Sequence, residues 1–315
     1  MTTAFDRDTA VHRRSAASHD ERAAGGDDGA SDGGAGRDGA SAPVATATTA
    51  ALFDADVSPD WRAGRGPHGG YLAAMLLRAL TETVADAQRA PRSLTIHYAR
   101  APEPGPVEIH TAIERAGRSL STLSARMEQE GKLMALALAA FSVPWHAPEI
   151  SELPLPAVEP AEPRVEGPRP PHPMAPPFAR HMEFQPRMGT RPFTGAQAPM
   201  EVGGWLALAE PRPLDALALA FFSDALFSPP FIRLTEPAVT PTIDLTIHFR
   251  ASLPPSPDRA LDSVEHCFAR FRSTVVHEGF FEEDGVIWAA DGSVLLHSRQ
   301  LALVMPLDSS GHVVR

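Results

Sequence analysis

Apolar side chains recur along this chain in two rhythms, and the order of the rhythms repeats. In the first half, Leu72, Met75, Leu76, Ala79 and Leu80 keep the i, i+3, i+4 spacing of a helix face within GRGPHGGYLAAMLLRALTETVADAQ. The runs SLTIHYARAP, PVEIHTAIERAG, SLSTLSARMEQEG and KLMALALAAFSVP follow, each of strand length, punctuated by Gly117 and Gly131. In the second half, ARHMEFQPRM and GGWLALAE read as strands, and PLDALALAFFSDALF as a helix stopped at Ser228-Pro229-Pro230. TIDLTIHFRASLP, HCFARFRSTVVHEGFFEEDG and VIWAADGSVLLHSRQLALVMP then read as antiparallel strands, with a hairpin turn at Ala-Asp-Gly in the last.

Each half therefore runs from a strand lead-in through one long apolar helix into about four strands. The pentapeptides LTIHY (Leu94–Tyr98) and LTIHF (Leu245–Phe249) fall at the same place, on the first strand after the helix. This pattern predicts a tandem duplication of one α+β unit. A helix as apolar all round as LALAFF must meet a sheet on more than one side. One helix wrapped by a curved antiparallel sheet is the hotdog unit, so the expected fold is a tandem (double) hotdog, its two units paired edge to edge. Two unrelated α+β domains are the alternative.

Two tracts break the rhythm. Residues 13–46 carry almost no large apolar side chain and are expected to be a disordered insertion. Thr3 to Val11 alternates like a strand, so residues 1–12 are expected to supply a first strand of the N-terminal unit. Residues 148–177 are dense in proline and read as a semi-rigid linker. The expected domains are residues 47–147 and 178–306, with a tail at 307–315.

Composition narrows the function. A net charge of −11 disfavours nucleic acid as a partner, and no apolar run reaches the length of a membrane span. The start of the chain lacks a basic-then-apolar leader, so a cytoplasmic location is expected. Cys267 is the single cysteine and falls in a strand pattern, where a plain strand residue is expected rather than a nucleophile. The 13 histidines show no metal-ligand spacing, and no metal or cofactor is expected.

Three polar residues of the second half stand out among apolar neighbours. Asp224 is predicted in the last turn of its helix, where the negative end of the dipole disfavours a carboxylate by about 0.3–1 kcal/mol. A rim residue touching solvent is the plainer reading. Thr242 opens a strand, which β-propensity alone explains. Gln300 lies on the last strand among leucines; aligning Gly131 with Gly292 sets Ala139 at the matching place in the first half. One repeat thus carries a polar group that the other lacks. His97 and His248 repeat on the polar face of their strands and read as structural. Asp244 shares that face with His248, and Thr242 has the same parity, which points it away from the helix.

GPHGGYLAAMLL, SLTIHYARAPEPGPVEIHTAIERAGRS, SDALF, TIDLTIHFR and DGSVLLHSRQLAL together resemble the acyl-CoA thioesterase II family, across nearly the whole chain apart from the insertion and the linker. The resemblance implies a double hotdog hydrolysing acyl-CoA thioesters. It also implies a catalytic set of Asp224, Thr242 and Gln300. In that scheme the aspartate takes a proton from water, and the threonine and glutamine hold that water. Backbone N–H groups at a helix N-terminus suit the oxyanion, and Gly69 and Gly70 are placed to offer them. Close packing explains those glycines equally well. Arg62 and Arg65 are candidates for the CoA phosphates. A non-catalytic acyl or acyl-CoA binding protein is the alternative. A hotdog hydratase would need a histidine near Asp224, and SDALFSPPF has none. A serine esterase is disfavoured further. Assembly into a homo-oligomer is left open.

Overall fold

The structure is a computed structural model that describes residues 2–15, 50–164, 175–251, 266–308 and 310–314. The first half comprises α1 (Ala4–Asp8), β1 (His12–Arg13), β2 (Ala50–Val57), α2 (Gly69–Val84), β3 (Ala90–Tyr98), β4 (Gly105–Ala116), β5 (Leu120–Gln129) and β6 (Lys132–Ser142). The second comprises β7 (Met182–Met188), β8 (Glu201–Leu208), α3 (Ala216–Phe222), β9 (Thr242–Phe249), β10 (Cys267–Arg272), β11 (Val276–His277), β12 (Phe280–Ala289) and β13 (Val294–Leu303).

These strands form one 13-stranded antiparallel sheet in the order β1-β2-β4-β5-β6-β3-β9-β13-β12-β10-β8-β7, with β11 added beside β12. The order reads as two copies of one strand sequence meeting at β3 and β9. There the twin pentapeptides pair with each other: Leu94 lies opposite Ile247, Thr95 opposite Thr246, and Ile96 opposite Leu245. The Thr95 and Thr246 hydroxyls approach to 3.2 Å at the centre of this pseudo-symmetric pair. Leu94, Ile96, Leu245 and Ile247 are all buried against the helices, while His97 and His248 face outward. The fold is a tandem hotdog, with α2 and α3 packed together inside a continuous sheet. Register confirms the duplication residue by residue, because Ala139 lies opposite Leu94 as Gln300 lies opposite Leu245.

The N-terminal residues differ from expectation. Thr3 to Val11 contains a helical turn, not a strand, because the Thr3 hydroxyl accepts from Asp6 N (3.2 Å) and donates to the Asp6 carboxylate (2.7 Å). Phe5 then packs against Trp61 and Phe221, and Arg212 reaches Asp6 at 3.0 Å, tying α1 to the second half. Strand pairing begins only at His12 and Arg13, opposite Asp54 and Phe53. Of the tract 13–46, the remainder beyond Ser15 lies outside the described residues.

The proline-rich stretch is no free spacer where it is described. Leu153, Leu155, Val158 and Ala161 pack on Trp205, Phe268, Val286 and Trp288 of the second half. The Trp205 indole donates to Glu159 O (2.9 Å), the Trp288 indole to Leu153 O (3.2 Å), and Gln185 bonds both N and O of Glu162. Proline-rich backbone without ladder partners is thus satisfied by side chains beneath it. Among the described residues no helix is long and apolar enough to cross a membrane.

Candidate active site

The start of α2 and the end of α3 meet nearly head to tail. His68 caps α2: its Nδ1 accepts from Tyr71 N at 3.2 Å. That bond leaves the ring proton on Nε2, which donates to Asp224 O at 2.7 Å. Burial lowers the His68 pKa, opposed by the nearby Asp224 carboxylate, so the capping ring stays neutral. Gly70 approaches α3 so closely that an added Cβ would lie 2.3 Å from Phe221 O.

Asp224 lies just beyond α3 and not in its last turn. The helix ends at Phe222, with Ser223 as its C-cap, and the chain bends toward α2. The Asp224 carboxylate accepts from Gly70 N through Oδ2 at 3.1 Å. The dipole argument is therefore reversed by tertiary structure. Asp224 follows the negative end of a short helix but rests on the positive end of the 16-residue α2, where a carboxylate is stabilised by about 0.3–1 kcal/mol. Its other oxygen, Oδ1, lies 3.5 Å from Gln300 Nε2. Gln300 is buried and receives the Thr242 hydroxyl on its carbonyl oxygen at 2.8 Å. Asp224, Thr242 and Gln300 thus converge from three separate segments.

Thr242 faces inward despite its parity because β9 carries a bulge. Thr242 pairs with Ala302 but Asp244 pairs with Leu301, leaving Ile243 as the extra residue. One extra residue reverses the facing of everything before it. The first half has the same irregularity between Pro91 and Ser93.

Of the two glycines, Gly70 directs its N–H at Asp224 and so orients the candidate base; it is not an open oxyanion donor in this arrangement. Gly69 lies beside the carboxylate, since a Cβ there would stand 2.8 Å from Asp224 Oδ2. Three groups escaped the sequence reading. His68 fixes the α2 start. Tyr98 donates to Gly69 O at 2.9 Å, its pKa raised first by burial and then by Asp224. Glu283 accepts from Gln300 Nε2 at 2.6 Å. Its signal was present in FFEEDG, where Glu283 shares strand parity with buried Phe281.

Gly69, Tyr98, Asp224, Thr242 and Gln300 line one cavity of about 2000 Å³, with Phe227 and Phe231 among its apolar walls. Arg65, Arg100, Arg180 and Arg191 also line it. Arg65 donates to Gly311 O at 3.0 Å, whereas Arg62 bonds Arg65 O and lies off this lining. Cys267 is fully buried, and burial raises its thiol pKa beyond nucleophilic use. His97 stands opposite Asp244 on the outer face of the sheet, away from the cavity. Among the described residues no group of three His, Cys, Asp or Glu is placed to hold a metal ion.

Comparison with known proteins agrees with the halves. Residues 57–142 match the acyl-CoA thioesterase N-terminal domain and residues 156–304 the acyl-CoA thioesterase C-terminal domain. An uncharacterised protein of Mycobacterium tuberculosis is 25% identical over 287 residues, covering 80% of this chain and 91% of its own. A hot dog fold protein of unknown function from Alicyclobacillus acidocaldarius superposes with a TM-score of 0.70 at 24% identity, covering 96% of this chain and 98% of that one. An acyl-CoA thioesterase II of Mycobacterium marinum superposes with a TM-score of 0.60 at 20% identity, over 82% and 94% of the two chains. At these identities the two structures speak to the fold alone.

Proposed function

Because this chain belongs to the acyl-CoA thioesterase family, we propose that it hydrolyses an acyl-CoA thioester to the free acid and CoA at Asp224, Thr242 and Gln300. The observation that carries this reading is the meeting of those three side chains on one cavity wall, through the Thr242–Gln300 bond and the Gln300–Asp224 approach.

Each group has a task that its surroundings suit. Oδ2 of Asp224 is engaged by Gly70 N–H, so Oδ1 is the oxygen that takes a proton from water. Thr242 and Gln300 orient that water toward the thioester carbonyl carbon. The water oxygen bonds to that carbon, the carbonyl becomes an oxyanion, and the C–S bond breaks as CoA leaves as thiolate. The proton held by Asp224 then passes to thiolate or solvent. General-base help of this kind contributes about 10²–10⁴-fold. The apolar walls accept the acyl chain, and cavity arginines such as Arg65 face the phosphates.

Thiol release measured across acyl-CoA chain lengths tests the proposal. Turnover by the native chain, reduced at least about 100-fold in Asp224→Ala, is expected. Tight acyl-CoA binding without turnover would favour a non-catalytic binding protein instead.

A further inference from the structure

Glu283 has no part in the reaction set out above, yet its carboxyl is buried beside it, with the residue only 4% exposed. The first half holds a different residue at this place. Leu123 lies opposite Ala139 as Glu283 lies opposite Gln300, and Leu123 is fully buried. The fold therefore accepts a plain apolar side chain here, whereas a carboxyl must be desolvated. Burial pushes Glu283 up to about 8; the Gln300 hydrogen bond opposes the rise, while Asp224 and Asp284 add to it.

The carboxyl's contact is Gln300. A glutamine amide can turn over with little change in shape, exchanging its acceptor for its donors. In the observed orientation its carbonyl takes the Thr242 hydroxyl and its NH₂ meets both carboxyls. Turned over, its carbonyl would face the Asp224 carboxylate. The Thr242 hydroxyl can donate or accept and does not enforce the choice. The Asp224 carboxylate favours this orientation, and the Glu283 oxygen at 2.6 Å from Nε2 holds the NH₂ in it.

We propose that Glu283 is a positioning residue of the hydrolytic site, locking the Gln300 amide with its carbonyl toward Thr242 and its NH₂ toward Asp224. This rests on the reading of Asp224, Thr242 and Gln300 as the set that holds the attacking water. Among the described residues, the groups bearing on Glu283 are Gln300 from β13, Asp224 from the turn after α3, and Asp284 on its own strand. Asp284 is exposed and pairs with Arg299 of β13. His68 lies 3.6 Å from Asp224 Oδ2, the oxygen other than the one near Gln300, and Tyr98 also bears on Asp224. Below about pH 8 Glu283 is a neutral acid that accepts from the amide. Above it, a second negative charge flanks Gln300 and opposes the oxyanion of the transition state.

The test uses the full chain with Glu283→Leu, Glu283→Gln and Asp224→Asn. Two quantities are read: thiol release against pH, and solvent exchange of the Gln300 side-chain NH₂ by NMR, assigned by its loss in Gln300→Ala. Glu283→Leu is expected to keep the native melting temperature or exceed it, as Leu123 does the same packing work in the first half. Its kcat falls about 10- to 100-fold with little change in KM, and the Gln300 NH₂ exchanges faster. Glu283→Gln offers the same carbonyl acceptor without titrating, so it restores most of kcat and keeps it above pH 8, where the native enzyme declines. Native kcat and alkaline limb in Glu283→Leu, or unchanged Gln300 exchange, overturns the proposal. Asp224→Asn separates the two claims: if it releases thiol at the native rate, the reading of Asp224 as the base fails, and Gln300 exchange alone then decides the role of Glu283.

Discussion

Gly69 and Gly70 are neighbours, yet a methyl group added to each meets a different obstacle. At Gly70 the obstacle is the Phe221 carbonyl, which belongs to the backbone and cannot move without shifting α3. Gly70→Ala should therefore lower stability by about 1–3 kcal/mol, read as a reduced melting temperature. At Gly69 it is the tip of the Asp224 side chain, 2.8 Å away, which can swing aside. Gly69→Ala should leave the melting temperature near native and reduce kcat, because the displaced carboxylate loses its hold on Gly70 N. Glu283 adds a pH effect on stability. Its folded pKa of about 8 stands above the usual 4.5, so it ionises in the unfolded chain first. Its contribution is fully present below about pH 4.5 and is lost as the pH rises through about 8. Denaturant titrations of the native chain and Glu283→Leu should diverge across that window, with the variant the more stable at pH 8 by on the order of a few kcal/mol.

At the scale of elements, the bulge on β9 decides whether Thr242 can act at all. Deleting Ile243 should restore a regular ladder and leave Thr242 opposite Ala302 on the inner face, because Thr242 then directly precedes the outward-facing Asp244. The expected result is a folded protein that keeps turnover near native, whereas Thr242→Val loses it; a loss in the deletion equal to that of Thr242→Val would show that the inward facing of Thr242 is not sufficient. This element also marks the limit of what could be read beforehand. Strand parity put Thr242 on the wrong face, because an extra residue announces itself by no local signature. The helix that precedes Asp224 was legible from its apolar face, but not its early end at Phe222. That end is set by His68 and Gly70 of the other half, which hold the Asp224 backbone and side chain. The repeat of helix and strands, and the match of Ala139 to Gln300, were legible because periodicity and register are local properties. The α1 turn was misread from alternation, since its Thr3 cap and Phe5 packing outweigh a period-2 pattern only nine residues long.

At the scale of the molecule, the proposed reading gives the duplicated fold one site per chain, not two. Pro91, Ala139 and Leu123 occupy the places of Thr242, Gln300 and Glu283 in the first half. What the first half contributes instead is the start of α2, whose cap and amide hold Asp224, the proposed base, from the second half. Equilibrium binding of a non-hydrolysable acyl-CoA thioether to the full chain should therefore saturate at one ligand per chain; two equivalent sites would refute the asymmetry. The central claim is that one carboxylate, carried by one half and held by the other, takes a proton from water. Thiol release by the native chain and by Asp224→Asn, which keeps the side-chain shape and removes the base, measures this most directly. The account predicts turnover of an acyl-CoA by the native chain and a loss of at least about 100-fold in the variant at unchanged melting temperature. Equal rates in the two would contradict it.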